Sequence, residues 1–159
     1  MHIPTHQYEQ SGLPEGLGRA IHNLLLGGSR NNGTVLVTRS KVGYADTVSQ
    51  LIEAIRSRGL TVFGQIDHAA AASEAGLELA AEEVVLFGNP RAGTPLMRSD
   101  PRVGVELPLR MLVWEDPDGT LLGYNDPLEL AGRYDVEQHR ATLEMMSALL
   151  AALAVDATR

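Results

Sequence analysis

Four residues, Asp116-Pro117-Asp118-Gly119, restrict this chain more than any other feature. Proline presets φ at the second position of a tight turn, and glycine accepts a positive φ at its end. Residues 108–115 precede the turn and residues 120–124 follow it, and both runs are strand-like. Two strands joined so closely form a β-hairpin, and hairpin strands are antiparallel. Any fold for this chain must therefore contain an antiparallel pair near its C-terminal third.

The remaining elements follow from periodicity. Thr34 to Thr38 is β-branched and predicts a strand. Tyr44, Val48, Leu51, Ile52 and Ile55 repeat at helical spacing, with Asp46 near the start, Arg56 and Arg58 near the end, and Gly59 as the stop. Thr61 to His68 predicts a second strand. Strict alternation there puts Val62, Gly64, Ile66 and His68 on one face, and Phe63, Gln65 and Asp67 on the other. Ala69 to Ala75 is helix-permissive and Gly76 breaks it. Glu83 to Gly88 predicts a third strand. Residues 89–107 carry three prolines and two glycines, which leaves room for short helix and loop. Leu143, Met146, Leu150 and Leu153 mark a C-terminal amphipathic helix beginning near Val136. A further stripe, Leu13, Leu17, Ile21, Leu24 and Leu25, predicts an N-terminal helix ending at Gly27-Gly28.

Strands and helices do not alternate in this order, so a doubly wound parallel sheet is not expected. The expectation is an α+β fold of β-α-β4-α order, with a mostly antiparallel sheet, helices on one face and an additional N-terminal helix. Residues 1–33 read as an extension and 34–159 as one domain. The 159-residue length suits a single domain.

Composition excludes several function classes. There is no cysteine, which removes disulfides, thiolate nucleophiles and cysteine-ligated metals. The formal charge of −7 opposes a nucleic-acid role, for which a basic face is the usual footprint. No run approaches the ~18 apolar residues needed to span a bilayer, and the start lacks signal-peptide character. A soluble cytoplasmic protein without membrane or nucleic-acid partners is expected.

Five stretches are similar to a prokaryotic family of domains of unknown function, DUF302. They are Gln65-Ile66-Asp67-His68; Ala75-Gly76-Leu77; Leu86 to Met97, with Phe87-Gly88-Asn89-Pro90-Arg91-Ala92-Gly93-Thr94-Pro95 inside it; Leu107-Pro108-Leu109-Arg110; and Tyr124-Asn125-Asp126-Pro127. The resemblance covers roughly residues 34–133. It implies a fold like that of TATA-binding-protein-like domains, an antiparallel sheet backed by helices. It implies no activity and no cofactor, and fold likeness alone gives no DNA-binding inference.

Candidate site residues come from the chain itself. Asn89 is a favoured N-cap and Pro90 a favoured first helical residue; Thr94-Pro95 repeats the logic. A helix N-terminus there, flanked by Arg91, suits a small anion. The same features also build an ordinary strand-to-helix turn. No Gly-Lys-Ser/Thr ending makes it a P-loop. Asp67 and His68 are candidates for general acid/base work, against a packed structural histidine. Arg110 shares a strand face with Leu112 and Trp114, where it reaches a ligand or a partner subunit, or simply solvent. Trp114 is expected in the core, with a pocket or interface wall as the alternative. Tyr124-Asn125-Asp126-Pro127 ends a strand, with its polar groups able to line a cleft. Glu115 and Asp116 are expected to be solvated. No metal site is expected: His2 and His6 lie near the start, and His22 and His139 lack a partner pattern. No Gly-x-Ser-x-Gly elbow occurs.

Three functional expectations result. One is a small-ligand module, binding an anion through His68, Asn89, Arg91, Thr94 and Arg110. One is an enzyme using Asp67 or His68 as general base. The third is a structural or interaction module, a homodimer joined through a sheet edge or face, because an antiparallel sheet covered on one side leaves the other needing solvent or a partner, with cover by the leucine-rich N-terminal helix as the alternative.

Overall fold

A computed structural model describes residues 35–159 of the chain. Its elements are β1 (Val35–Arg39), α1 (Tyr44–Ser57), β2 (Thr61–Asp67), α2 (His68–Glu74), β3 (Glu82–Gly88), α3 (Pro90–Ser99), β4 (Leu109–Asp116), β5 (Gly119–Asn125) and α4 (Arg140–Ala157). Short 3-10 turns occupy Pro101–Val105, Pro127–Gly132 and Glu137–His139. The N-terminal helix expected over Leu13 to Leu25, and His2, His6 and His22, lie outside the described residues.

The strands form one sheet in the order β1-β5-β4-β3-β2, and every neighbouring pair is antiparallel. The fold is thus α+β, as the element order predicts. The hairpin closes as its turn residues require. Asp116 pairs with Gly119, and Gly119 takes a φ of 128°.

One face of the sheet is the core. Val85 and Phe87 of β3, Leu109, Met111 and Val113 of β4, and Leu122 and Tyr124 of β5 are buried there. They join Leu51 and Ile55 of α1 and Leu143, Met146, Leu150 and Leu153 of α4 in a single cluster. Of the helical stripes read from spacing, Val48, Leu51 and Ile55 of α1 and all four residues of the α4 stripe are buried, while Tyr44 and Ile52 are half-buried. Each fully buried aliphatic or aromatic side chain contributes about 1.5–3 kcal/mol over an exposed one. Leu96 of α3, Val103 and Val136 close the cluster at its ends.

Two expectations about β2 are corrected. The strand ends at Asp67, and His68 is the first residue of α2. The cause is local: the Asp67 carboxylate accepts from the Ala70 N–H at 2.8 Å and caps a run of alanines, the best helix formers. The strict alternation also fails. Val62 pairs with Phe87, but Gly64 pairs with Leu86, so Phe63 is the extra residue of a β-bulge. Val62 therefore shares the core face with Phe87, while Gly64 and Ile66 share the opposite face with Leu86 and Val84.

Candidate functional site

The Asn89 turn takes the predicted form. Asn89 is the N-cap of α3, its side chain accepts from the Arg91 N–H at 2.9 Å, and Pro90 opens the helix. Thr94-Pro95 does not start a second helix; both residues lie inside α3. The Ala92 and Gly93 N–H groups both donate to the Asn89 carbonyl. The first amides of this helix are therefore occupied by Asn89 itself. Arg91 and Thr94 are exposed beside them.

The same device recurs. Of the eight prolines, four follow Asn or Asp: Asn89-Pro90, Asp100-Pro101, Asp116-Pro117 and Asp126-Pro127. In each, the side chain accepts from the N–H two residues on, at 2.9, 3.0, 2.8 and 3.0 Å respectively. Proline lacks an N–H, so the next donor is the one the cap can reach. The Asn89 turn is one of four equivalent turn starts, and Tyr124-Asn125-Asp126-Pro127 is another.

His68 does not join this turn. In the β2–β3 ladder Thr61 pairs with Gly88, and Asp67 pairs with Glu83. Asn89 thus follows one end of the ladder and His68 the other, roughly 20 Å apart at ~3.3 Å per residue. Asp67 is committed as a cap. Around it, burial and the carboxylates of Glu83, Asp67, Glu115 and Glu82 push the Tyr44 phenol up to about 12, so it remains a protonated donor.

Arg110 stands at the Asn89 end of the sheet, but other groups hold it. Its guanidinium donates to the Val105 carbonyl at 3.2 Å and lies 3.6 Å from a Glu106 carboxylate oxygen. Glu106 also accepts from Tyr134 Oη at 2.9 Å and pairs with Arg133, whose guanidinium lies 5.3 Å from the Tyr134 ring centre. Asp100, only 3% exposed, accepts from the backbone N–H of Arg102 and of Asp135 and from the Arg102 guanidinium. The Arg102 hydrogen bonds hold its carboxyl well below the usual carboxylate range.

Sequence reasoning missed Asp100, Glu106 and a contact between Ser99 Oγ and His139 Nε2 at 2.7 Å. Asp100-Pro101 carried a visible signal, the repeat of Asn89-Pro90. The Ser99–His139 pair did not, because 40 residues separate its members. It does not read as a nucleophile and base. Ser99 ends α3, where the negative end of the helix dipole opposes a developing oxyanion.

The remaining feature is the second face of the sheet, which is uncovered among the described residues. Leu112 and Trp114 of β4, Val84 and Leu86 of β3, and Leu121 of β5 are only partly buried there. Val35 and Val37 of β1 are 48% and 51% exposed, and Phe63 and Ile66 of β2 are 54% and 46% exposed. This corrects the placing of Trp114 in the core. Gly123 explains its position: a Cβ there would lie 3.0 Å from the indole and 2.9 Å from Val35. Glycine lets the ring lie over β5. Charge on this face stands near strand ends, in Arg110, in Glu82 beside Trp114 and in the Arg39–Asp116 pair at 3.8 Å. Among the described residues no helix is long and apolar enough to cross a membrane.

Comparisons with known proteins agree with this architecture. The sequence model described as "Domain of unknown function DUF302" matches residues 36–153. The chain is 41% identical over 107 residues to "Fluoride-specific ion channel FluC 1" of Brucella suis biovar 1 (strain 1330), covering 67% of this chain and 42% of that protein. It is equally similar to the protein of that name in Brucella abortus biovar 1 (strain 9-941), covering 67% of this chain and 39% of the relative. The chain therefore spans about two fifths of the length of these curated relatives. A crystal structure of an uncharacterized conserved DUF302 protein from Bacillus stearothermophilus superposes with a TM-score of 0.70 at 21% identity, over 79% of this chain and 98% of that one. That likeness concerns the fold. Together with the matched span, it assigns this chain to the DUF302 family.

Proposed function

We propose that this domain is an interaction module that works by burying the uncovered face of its sheet against a protein partner. The observation that carries the reading is the apolar run across that face, from Val35 and Val37 through Trp114 and Leu112 to Ile66. An antiparallel sheet whose second face meets water is normally polar on that face. Large exposed apolar patches with polar margins mark interaction sites. The relatives support a module as well, since the matched span is less than half of each of them. The absence of cysteine suits a cytoplasmic partner.

The test is photo-crosslinking in cells, with a photoreactive phenylalanine analogue in place of Val37 on the sheet face or of Met145 on the outer face of α4. Both positions are exposed. Covalent adducts are expected from position 37 and not from 145. No adduct from position 37 would sink the reading.

A second reading rests on the relatives' name, which specifies fluoride. It places a small anion beside Asn89, Arg91 and Thr94, with Arg110 at the same end of the sheet. The occupied amides of residues 91–93 leave the Arg91 guanidinium, the Thr94 hydroxyl and the Asn89 side-chain NH2 as its donors. Sodium fluoride would then raise the melting temperature more than sodium chloride does, and Arg91→Ala would abolish the difference. A base role for His68 and Asp67 has less support, since Asp67 is the α2 cap.

A further inference from the structure

The partner for this face can be argued further, on the reading that the face is an interaction surface. We infer that its occupant is a second copy of the chain, packed face to face with β4 of one protomer over β4 of the other.

The charge pattern favours this occupant. The whole chain carries −7, so most of its surface repels a copy of itself. The uncovered face is the exception. Arg39 and Arg110 balance Asp116 and Glu82, and all four stand near strand ends, with Glu82 directly beside Trp114. Two copies can meet over Leu112, whose cross-strand neighbours Val84 and Gly123 are uncharged, without like-charge opposition at that point, where charge would be most costly.

Topology favours it too. β4 is the middle strand of the five. A two-fold axis passing near Leu112 sets the sheet centre over the sheet centre, and each contact is then made twice. Sheets packed in this way lie about 10 Å apart with their inner side chains interdigitated. Trp114, two residues along the strand, supplies the large aromatic anchor typical of such interfaces.

The area is sufficient. Five strands ~4.8 Å apart and about seven residues long at ~3.3 Å each project to roughly 550 Å². The accessible surface of a corrugated face exceeds its projection, which brings it close to the ~800 Å² per partner of a stable interface. An edge-to-edge dimer through β1 would use five residues and leave Trp114, Leu112 and Ile66 as they are.

Trp114 is the only tryptophan of the chain, and it reports on this face directly. The experiment is sedimentation of the purified full chain across a concentration series, with tryptophan emission recorded on the same samples. The expected result is a mass of twice 17.1 kDa at high concentration, falling on dilution as the emission shifts to the red. Leu112→Glu is expected to be monomeric with red-shifted emission throughout. Val37→Glu, on the exposed edge strand, serves as the second variant should Leu112→Glu fail to fold. A wild type that is monomeric at every concentration overturns the inference, whether its emission is red or blue; blue emission would mean that another part of the same chain covers the indole. A dimer that survives both variants also overturns it, because the contact would lie elsewhere. A monomer that still crosslinks from position 37 to a different protein ends the second-copy inference and leaves the interaction reading standing. Loss of those crosslinks ends both.

Discussion

The two faces of the sheet are made from the same strands and differ in their partners. Along β4, Leu109, Met111 and Val113 point to the helices and are buried, while Arg110, Leu112 and Trp114 point the other way. Both sets contain large apolar residues. Only one set is covered by α1 and α4. A solvated face ordinarily shows its exposure in composition, by alternation of apolar with polar residues. Here the alternation is weak, so hydrophobicity alone does not define this fold's core. The covered face is closed by helical stripes that match it, and no described helix closes over the apolar residues of the other face.

The comparison can be broken most severely from the covered side. Phe87→Ala empties the middle of the core and is expected to cost about 3–5 kcal/mol, read by urea denaturation. Phe63→Ala, on the half-exposed bulge of β2, is expected to cost well under half as much. Equal costs would show that both faces are core.

Asp100 sharpens the comparison at the edge of the core, where it joins the end of α3 to the segment before α4. Its folded-state pKa is depressed, so its stabilisation is fully present above the unfolded value of about 3.9 and is lost as pH falls below it. Asp100→Asn should therefore melt several degrees below wild type at pH 7, and the gap should narrow at pH 3. A gap independent of pH would contradict a charge-assisted clamp.

Gly123 tests the open face. Gly123→Ala brings a methyl against the Trp114 ring and Val35. The expected cost is about 1–3 kcal/mol, with a changed tryptophan emission because the ring must lift. Smallest is Asn89→Ala, expected to cost about 1 kcal/mol as an ordinary lost cap. Asp126→Ala, at an equivalent turn, should cost a similar amount. A much larger loss at Asn89, or loss of a bound anion, would restore the special status of its turn.

Much of the fold was legible in the sequence because it is local. The Asp116–Gly119 turn fixes an antiparallel hairpin, and the spacing of Leu143, Met146, Leu150 and Leu153 marks the stripe that is buried. The β2 bulge was not legible: one extra residue at Phe63 reverses the phase of a short alternating run without changing its composition. His68 was misplaced because a carboxylate cap before four alanines outweighs the β tendency of the preceding residues. The site was less legible still. Contacts between Asp100 and Asp135, and between Glu106 and Tyr134, span 35 and 28 residues and arise only from folding. Phe87 to Met97 marks the family well. Its caps and prolines describe a turn that the chain builds four times, so they carry little about a ligand.

Met111 and Leu112 are neighbours on β4 that point to opposite faces, so one substitution at each separates the role of the core from that of the other face. Lysine is placed at each in turn, and crosslinking from position 37 is measured in whichever variant folds. Met111→Lys is expected to abolish cooperative folding. Leu112→Lys is expected to keep a cooperative melt and to lose the crosslinked adducts. If Leu112→Lys keeps the adducts, or fails to fold as Met111→Lys does, the uncovered face is not the working surface of this domain.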